Sequence, residues 1–223
     1  MLAFAIACGA VVSLVLLHWR DRKQLKKRRS QFFQNCLELF TAYRVVQLGQ
    51  KFPELSGRYR GHEIRLEPLI DDMAWRRVPV LWLRVTVLTP NSYRGVLSLL
   101  VRPGAVEVYS PSAELDHHLP LPDGWPEQAL LTTDDPTARA PLDRLTPLMA
   151  VFADPYMKEL VVTSKGVRLV RMIWQASRIH YAVFREVRFE EIHLDAAVVK
   201  TLLDEAVAMA DLLSQPGSIE EAA

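Results

Sequence analysis

Residues 160–174 read LVVTSKGVRLVRMIW, two apolar runs on either side of the turn residues Ser164-Lys165-Gly166. Runs rich in β-branched residues around a glycine-containing turn are typical of a β-hairpin. A third run, VPVLWLRVTVL, occupies 78–88. Within 160–174, and between the strand-like runs from residue 57 to residue 109, the connections are too short for the crossover helix that parallel strands need, so the pattern predicts antiparallel pairing.

Further strands are predicted outward from these runs. Strand-like alternation begins at Gly57, and the later runs are LSLLVR at 97–102, AVEVY at 105–109 and IHYAVFREVRF at 179–189. Nine of the fourteen prolines lie within 103–155. Because proline removes a backbone donor and fixes φ, most of that stretch is expected to be ordered but irregular.

About three helices are predicted beside the sheet, one of them over 31–51. Its apolar side chains recur at helical spacing, at Phe32, Cys36, Leu39, Tyr43 and Val46. Such a stripe indicates packing against the chain's own domain, and Cys36 on it is expected to be buried. The stripe also covers about two heptads, which leaves a homodimer through this helix as an alternative.

Two later helices are predicted from their start signals. Asp134-Asp135-Pro136 resembles a helix start, with an aspartate cap and proline in the first turn, and predicts helix up to Phe152. Asp195 is expected to cap a final helix that ends at Leu213. Strands in hairpins with separate helices define an α+β fold.

The charge distribution divides the chain. Its 223 residues carry a net charge of +1, yet residues 1–19 contain no Lys, Arg, Asp or Glu. Residues 20–29 read RDRKQLKKRR, with seven basic residues and one acidic residue. The remainder, 30–223, has 20 basic and 25 acidic residues, a net of −5. A nucleic-acid-binding domain, which usually shows a basic face, is therefore not expected.

Residues 1–19 predict a transmembrane anchor. As a helix they extend about 28 Å, close to the hydrocarbon thickness of about 30 Å, and Trp19 falls where an indole favours the interface. The cations after the span predict an outside N-terminus and a cytoplasmic domain in a single-pass protein of the inner or plasma membrane. A cleaved signal peptide would begin with basic residues, and a lipoprotein signal would need more residues before Cys8.

The predicted organisation has four parts: the anchor at 1–19, a basic juxtamembrane segment at 20–30, a cytosolic domain at 31–213 and a flexible tail at 214–223. A hairpin-then-helix pattern occurs twice within the domain. It raises the alternative of two subdomains, at 57–152 and 158–213.

Motifs with a defined chemistry are missing from the sequence. It contains no glycine-rich nucleotide loop, no Gly-x-Ser-x-Gly, no His-Glu-x-x-His and no Cys-x-x-Cys. Asp116-His117-His118 places three ligand-type residues side by side, but adjacent residues point in different directions and rarely complete one metal shell. We therefore expect a solvated loop there, no metal and no cofactor.

Arginine is the most suggestive side chain, because a planar guanidinium on a sheet face can grip a carboxylate or phosphate. Arg58 and Arg60 are predicted to face the same way and to bind lipid headgroups or small anions. The basic juxtamembrane residues should add attraction to anionic lipid: Arg22, Lys23, Lys26, Lys27, Arg28 and Arg29. Trp75 and Trp125 lie in predicted loops and are candidates for a protein interface.

The function predicted from these features is that of a membrane-tethered, non-catalytic adaptor or assembly factor with an unidentified protein partner. An anion or headgroup sensor built on the arginine-rich strands is the alternative. A hydrolase or transferase that uses His117, His118 or an aspartate pair ranks lowest, although catalytic sites also assemble from residues far apart in sequence.

Overall fold

A computed structural model describes residues 2–71, 78–104, 107, 109–137, 141–178, 181, 187, 189 and 193–215. The described part is α+β, as predicted, with one large antiparallel sheet and about three helices. The three α-helices are α1 (Leu2–Ser30), α2 (Leu142–Leu145) and α3 (Ala196–Ser214). Short 3-10 helices cover Gln34–Leu39, Pro111–Glu114 and Thr146–Ala153.

The nine described strands form one sheet in the order β1-β2-β3-β4-β9-β8-β5-β7-β6, and every neighbouring pair is antiparallel. Their bounds are β1 Ala42–Val46, β2 Glu54–Tyr59, β3 His62–Asp71, β4 Val80–Leu88, β5 Leu97–Val101, β6 His117–His118, β7 Ala129–Thr133, β8 Met157–Thr163 and β9 Gly166–Gln175. The predicted 160–174 hairpin is confirmed as β8 and β9.

The β8–β9 hairpin lies in the sheet between β4 and β5, two strands that follow one another in the sequence. β9 pairs with β4, and β8 pairs with β5, so β5 does not continue the hairpins that join β2, β3 and β4. The sheet therefore runs continuously through both of the stretches considered as subdomains.

One face of the sheet forms the main apolar core. Alternate side chains such as Leu83, Val85 and Leu169 are fully buried on it. α3 packs across β4 and β9 and buries eight of its own side chains there. The predicted cap is confirmed, because the Asp195 carboxylate accepts a hydrogen bond from the Ala197 backbone N–H at 2.8 Å.

The helix predicted over 31–51 is wrong. α1 ends at Ser30, a 3-10 helix comes next, and Ala42–Val46 forms the edge strand β1. Phe32, Phe33, Cys36 and Phe40 are buried, whereas Tyr43 and Val46 of the predicted stripe are exposed. The homodimer seam proposed for this helix consequently has no helix to carry it. Cys36 is fully buried as expected, and burial raises the pKa of its thiol to about 11.

The helix predicted over 134–152 is largely wrong as well. Among the described residues of that stretch, only α2, with four residues, and the following 3-10 helix form. Asp134 does not cap a helix; its carboxylate accepts a hydrogen bond from the Val96 N–H at 2.6 Å. Pro147 lies at the start of the 3-10 helix, where its ring would clash within a longer α-helix. The strand predicted at 179–189 lies mostly outside the described residues, as does the tail from 216.

None of the helices in the described part of the chain has both the length and the apolar content needed to cross a membrane. The transmembrane part of the fold prediction is accordingly without structural support. α1 is nevertheless a continuous helix that joins the uncharged stretch to the basic segment.

Candidate functional site

The end of α1 is fixed to the connection between β1 and β2. The Arg29 guanidinium donates a hydrogen bond to the Gln50 carbonyl at 2.7 Å and lies 4.7 Å from the centre of the Phe52 ring. Burial lowers the pKa of Arg29. The Gln47 side-chain amide donates to the Lys26 carbonyl at 3.2 Å. These contacts hold the helix against the folded domain.

The other predicted juxtamembrane cations do not share this arrangement. All are exposed along α1: Arg22, Lys23, Lys26, Lys27 and Arg28. Lys23 lies 5.4 Å from the Trp19 ring centre, so its charge sits over an aromatic face one helical turn away. Six basic residues are predicted to attract lipid. Arg29 packs against the domain, and the other five are exposed.

An arginine groove opens on the polar face of the sheet at its β1–β3 end. Arg44, Arg58 and Arg65 line it, together with Ser56 and Glu63, and its volume is about 450 Å³. Strand register puts Arg44 and Arg65 on either side of Ser56, while Arg58 lies opposite Glu63. With neighbouring strands about 4.8 Å apart, the Arg44 and Arg65 backbones are about 10 Å apart.

The positive charge in the arginine groove is only partly compensated. Arg58 and Glu63 approach to 4.0 Å, and both side chains are well exposed. In the described part of the chain the guanidiniums of Arg44 and Arg65 make no hydrogen bond or ion pair. Two further acidic residues lie on this face. Glu54 is exposed, two residues from Ser56, and Glu67 is held by Arg84 through two hydrogen bonds of 2.9 and 3.1 Å.

Arg60 does not join Arg58 in the groove. It occupies the two-residue turn between β2 and β3, where Arg60 and Gly61 both have positive φ, as a type I′ turn requires. The Arg60 guanidinium instead forms an ion pair with Asp204 of α3 at 3.2 Å. The predicted Arg58–Arg60 pair is therefore separated, and its second member attaches the hairpin to α3.

The centre of the same sheet face holds a buried carboxylate. Glu159 is fully buried, and its Oε1 accepts hydrogen bonds from the hydroxyls of Ser98, at 3.1 Å, and Ser110. Its Oε2 is buried without a hydrogen-bond partner among the described residues. Burial raises the pKa of Glu159, while the Ser110 hydrogen bond and the charge of Arg168 oppose the rise.

A second polar cluster lies beside Glu159 and fastens the segment after β5. Lys158 forms an ion pair with Glu107 at 2.9 Å, and Tyr109 donates to the same carboxylate at 2.8 Å. Lys158 also donates to the Arg102 carbonyl at 2.5 Å. Each of these groups is paired with another group of the same chain. The cluster therefore holds the segment after β5 against β8.

The histidines do not assemble a metal centre. His117 and His118 form the short strand β6 and are exposed, rather than lying in the loop predicted for them. His62 bridges two elements instead, with its Nε2 3.0 Å from Asp211 of α3 and its Nδ1 2.8 Å from the Thr89 hydroxyl. Among the described residues, no group of three metal-ligating side chains comes together.

The two tryptophans predicted at an interface have different outcomes. Trp125 is only 6% exposed, and its indole N–H donates to the Thr146 hydroxyl at 2.8 Å. The structure thus makes it part of the core. Trp75 lies outside the described residues.

Sequence reasoning missed Arg44, because the helix predicted over 31–51 hid a strand. The signal was present in TAYRVV at 41–46, where β-branched residues flank a single arginine. Arg65 is one of several arginines in the early strands, and the sequence does not single it out. Nothing in the local sequence pairs it with a residue more than twenty positions earlier.

Comparisons with known proteins add little. No family model matches the chain, and no curated protein matches it. Among solved structures, the chain is similar to the crystal structure of the mycobacterial trehalose monomycolate transport factor A, TtfA. The two are 12% identical with a TM-score of 0.41, over 88% of this chain and 100% of that chain. Similarity at this level carries no argument about function.

Replacing Arg29 with Gln should loosen α1 from the domain. The variant loses a charge-assisted hydrogen bond and the contact with Phe52, which at a half-exposed site should lower the free energy of unfolding by about 1 kcal/mol. Denaturation of the full chain in detergent micelles measures this, and hydrogen exchange at 47–52 should rise. Arg28→Gln, an exposed neighbour, is the matched control; equal effects in both variants would contradict the docking role.

Stability should depend on pH through Glu159. Because burial raises its pKa in the folded state above the ordinary value of 4.5, its contribution is fully present below that value. The contribution is then lost as pH rises through the folded-state pKa. Denaturation at a series of pH values upward from 4.5 should show this decline in the wild type and a shallower one in Glu159→Gln. Glu114→Gln, at an exposed carboxylate, should keep the wild-type slope; a Glu159→Gln slope equal to it would refute the assignment.

Proposed function

We propose that this protein is a membrane-tethered, non-catalytic adaptor that holds its α+β domain close to the cytoplasmic surface of the inner or plasma membrane. One observation carries the proposal. α1 runs without a break from an uncharged, apolar half through the basic segment to a docked end on the domain. A membrane helix that is docked on its domain determines how the surfaces of that domain lie relative to the membrane.

The apolar half of α1 supports the tether. Apart from Ser13 and His18, its described side chains are apolar and exposed, and they lie on every side of the helix, at Phe4, Val11, Val12, Leu14, Val15, Leu16, Leu17 and Trp19. A helix that is apolar all round needs cover from lipid or protein. The seven basic residues at 20–29 favour a cytoplasmic position for the domain after them and attract anionic lipid.

The edge strand β1 supports the adaptor part. All five of its residues are exposed, and its outer edge has no neighbouring strand in the described sheet. Tyr43 and Val45 place exposed apolar side chains on the face opposite Arg44. An open edge offers backbone donors and acceptors to an extended segment of a partner, with the alternate side chains giving selectivity. The proposed partner is therefore a protein that adds a strand to β1.

The tether is tested by extracting membranes with high salt and alkaline carbonate. The wild-type chain should remain in the membrane fraction. Val11→Arg with Leu14→Arg should release it, because each arginine near the centre of a span costs about 3 kcal/mol. Val11→Leu with Leu14→Ile is the apolar control and should behave as the wild type. Release of the wild type by either treatment would rule out a spanning helix.

The adaptor role is tested by mild detergent extraction of the tagged full chain and mass spectrometry of the proteins that accompany it. A partner in stoichiometric amount should accompany the wild type and be reduced at least about tenfold in Tyr43→Ser with Val45→Ser, since strand addition needs the β1 edge. Tyr156→Ser removes an equally exposed ring elsewhere and is the control, at 48% exposure against 52% for Tyr43. A partner-free particle, or equal loss in both variants, would count against the proposal.

A further inference from the structure

We infer that the arginine groove formed by Arg44, Arg58 and Arg65 is a binding site for the phosphate group of a small ligand or lipid headgroup. This goes beyond the adaptor proposal and does not depend on it, because the strand register places the side chains of Arg44, Arg58 and Arg65 on the opposite face from those of Tyr43 and Val45. Three features support the site: the arrangement of the guanidiniums, their incomplete pairing with carboxylates and the shape of the groove.

The arrangement suits one anion. Arg44 and Arg65 stand on either side of Ser56 in a single cross-strand row, and Arg58 lies two residues from Ser56 on the same face. Three long side chains can thus converge above a short one, whose hydroxyl is available as a further donor. Guanidinium groups bind phosphate through paired hydrogen bonds, which gives geometric selectivity as well as attraction.

Charge favours an anionic occupant. Three guanidiniums and one carboxylate, Glu63, line the groove, and the exposed Glu54 two residues from Ser56 still leaves the cations in excess. The 4.0 Å separation of Arg58 from Glu63 is longer than a hydrogen bond. Arg84 occupies both oxygens of Glu67, so that neighbouring carboxylate is not free to turn into the groove. The groove of about 450 Å³ is within the size range of small-ligand sites.

The position of the groove suggests two sources for the phosphate. Arg44 lies three residues along the chain from Gln47, which contacts α1 directly. A headgroup at the membrane surface and a free phosphate compound in the cytoplasm present the same chemistry to the three arginines. The experiment separates these sources by its choice of probes.

The test titrates the full chain, in neutral detergent micelles at constant ionic strength, with inorganic phosphate and with dihexanoyl phosphatidic acid. Dihexanoyl phosphatidylcholine, whose phosphate is balanced by its own cation, is the lipid control. Calorimetry should detect binding of phosphatidic acid and not of phosphatidylcholine. Binding of inorganic phosphate as well would identify a general phosphate site, whereas phosphatidic acid alone would identify a headgroup site.

The matched variants separate a site from general charge. Arg44→Gln with Arg65→Gln should weaken binding at least about tenfold, because two charge-assisted contacts are lost. Arg94→Gln with Lys165→Gln removes the same charge at exposed positions elsewhere and should change affinity less than about twofold. Arg58→Gln is the second test variant should the first pair fail to fold. Failure of the wild type to bind either probe, or equal weakening in both pairs, would overturn the site.

Discussion

Alternation along the strands makes one face of the sheet continuously apolar, and the molecule is organised around covering that face. Each fully buried leucine or valine contributes about 1.5–3 kcal/mol, so the uncovered face would be strongly unfavourable in water. α3 covers its centre across β4 and β9. The segment after α1 adds Phe32, Phe33 and Phe40 to the same core.

This requirement also determines the course of the chain after α1. Phe32 packs its ring against Phe33, Phe52 and Trp174 with centroids 4.8–5.6 Å apart. The helix ends at Ser30, and these rings turn into the core directly after it. β1 then forms beside β2, with Gly57 at the point of closest approach: a Cβ there would lie 2.7 Å from the Ala42 carbonyl and 2.9 Å from the Phe40 ring.

The opposite face of the sheet carries the polar side chains. Its centre is covered by the chain, and its β1–β3 end is open to solvent. In its centre the chain after β5 covers Glu159, and the buried carboxylate accepts hydrogen bonds from serine hydroxyls. At the β1–β3 end nothing in the described part of the chain covers the face, and the arginines stand open to solvent. Polar side chains at alternate strand positions thus form a buried cluster at the centre of this face and the accessible arginine groove at its β1–β3 end.

The sequence by itself determined the local elements whose signals lie within a few residues: the β8–β9 hairpin, the β4 strand, α3 with its Asp195 cap, buried Cys36 and the division of charge at residues 19 and 20. Only the tertiary structure decided the insertion of the β8–β9 hairpin between β4 and β5 and the burial of Trp125. It also decided that Arg44 joins Arg65 while Arg60 turns to Asp204. The reason is physical: periodicity and capping act between near neighbours, whereas strand order and the convergence of side chains depend on which distant residues complete one core.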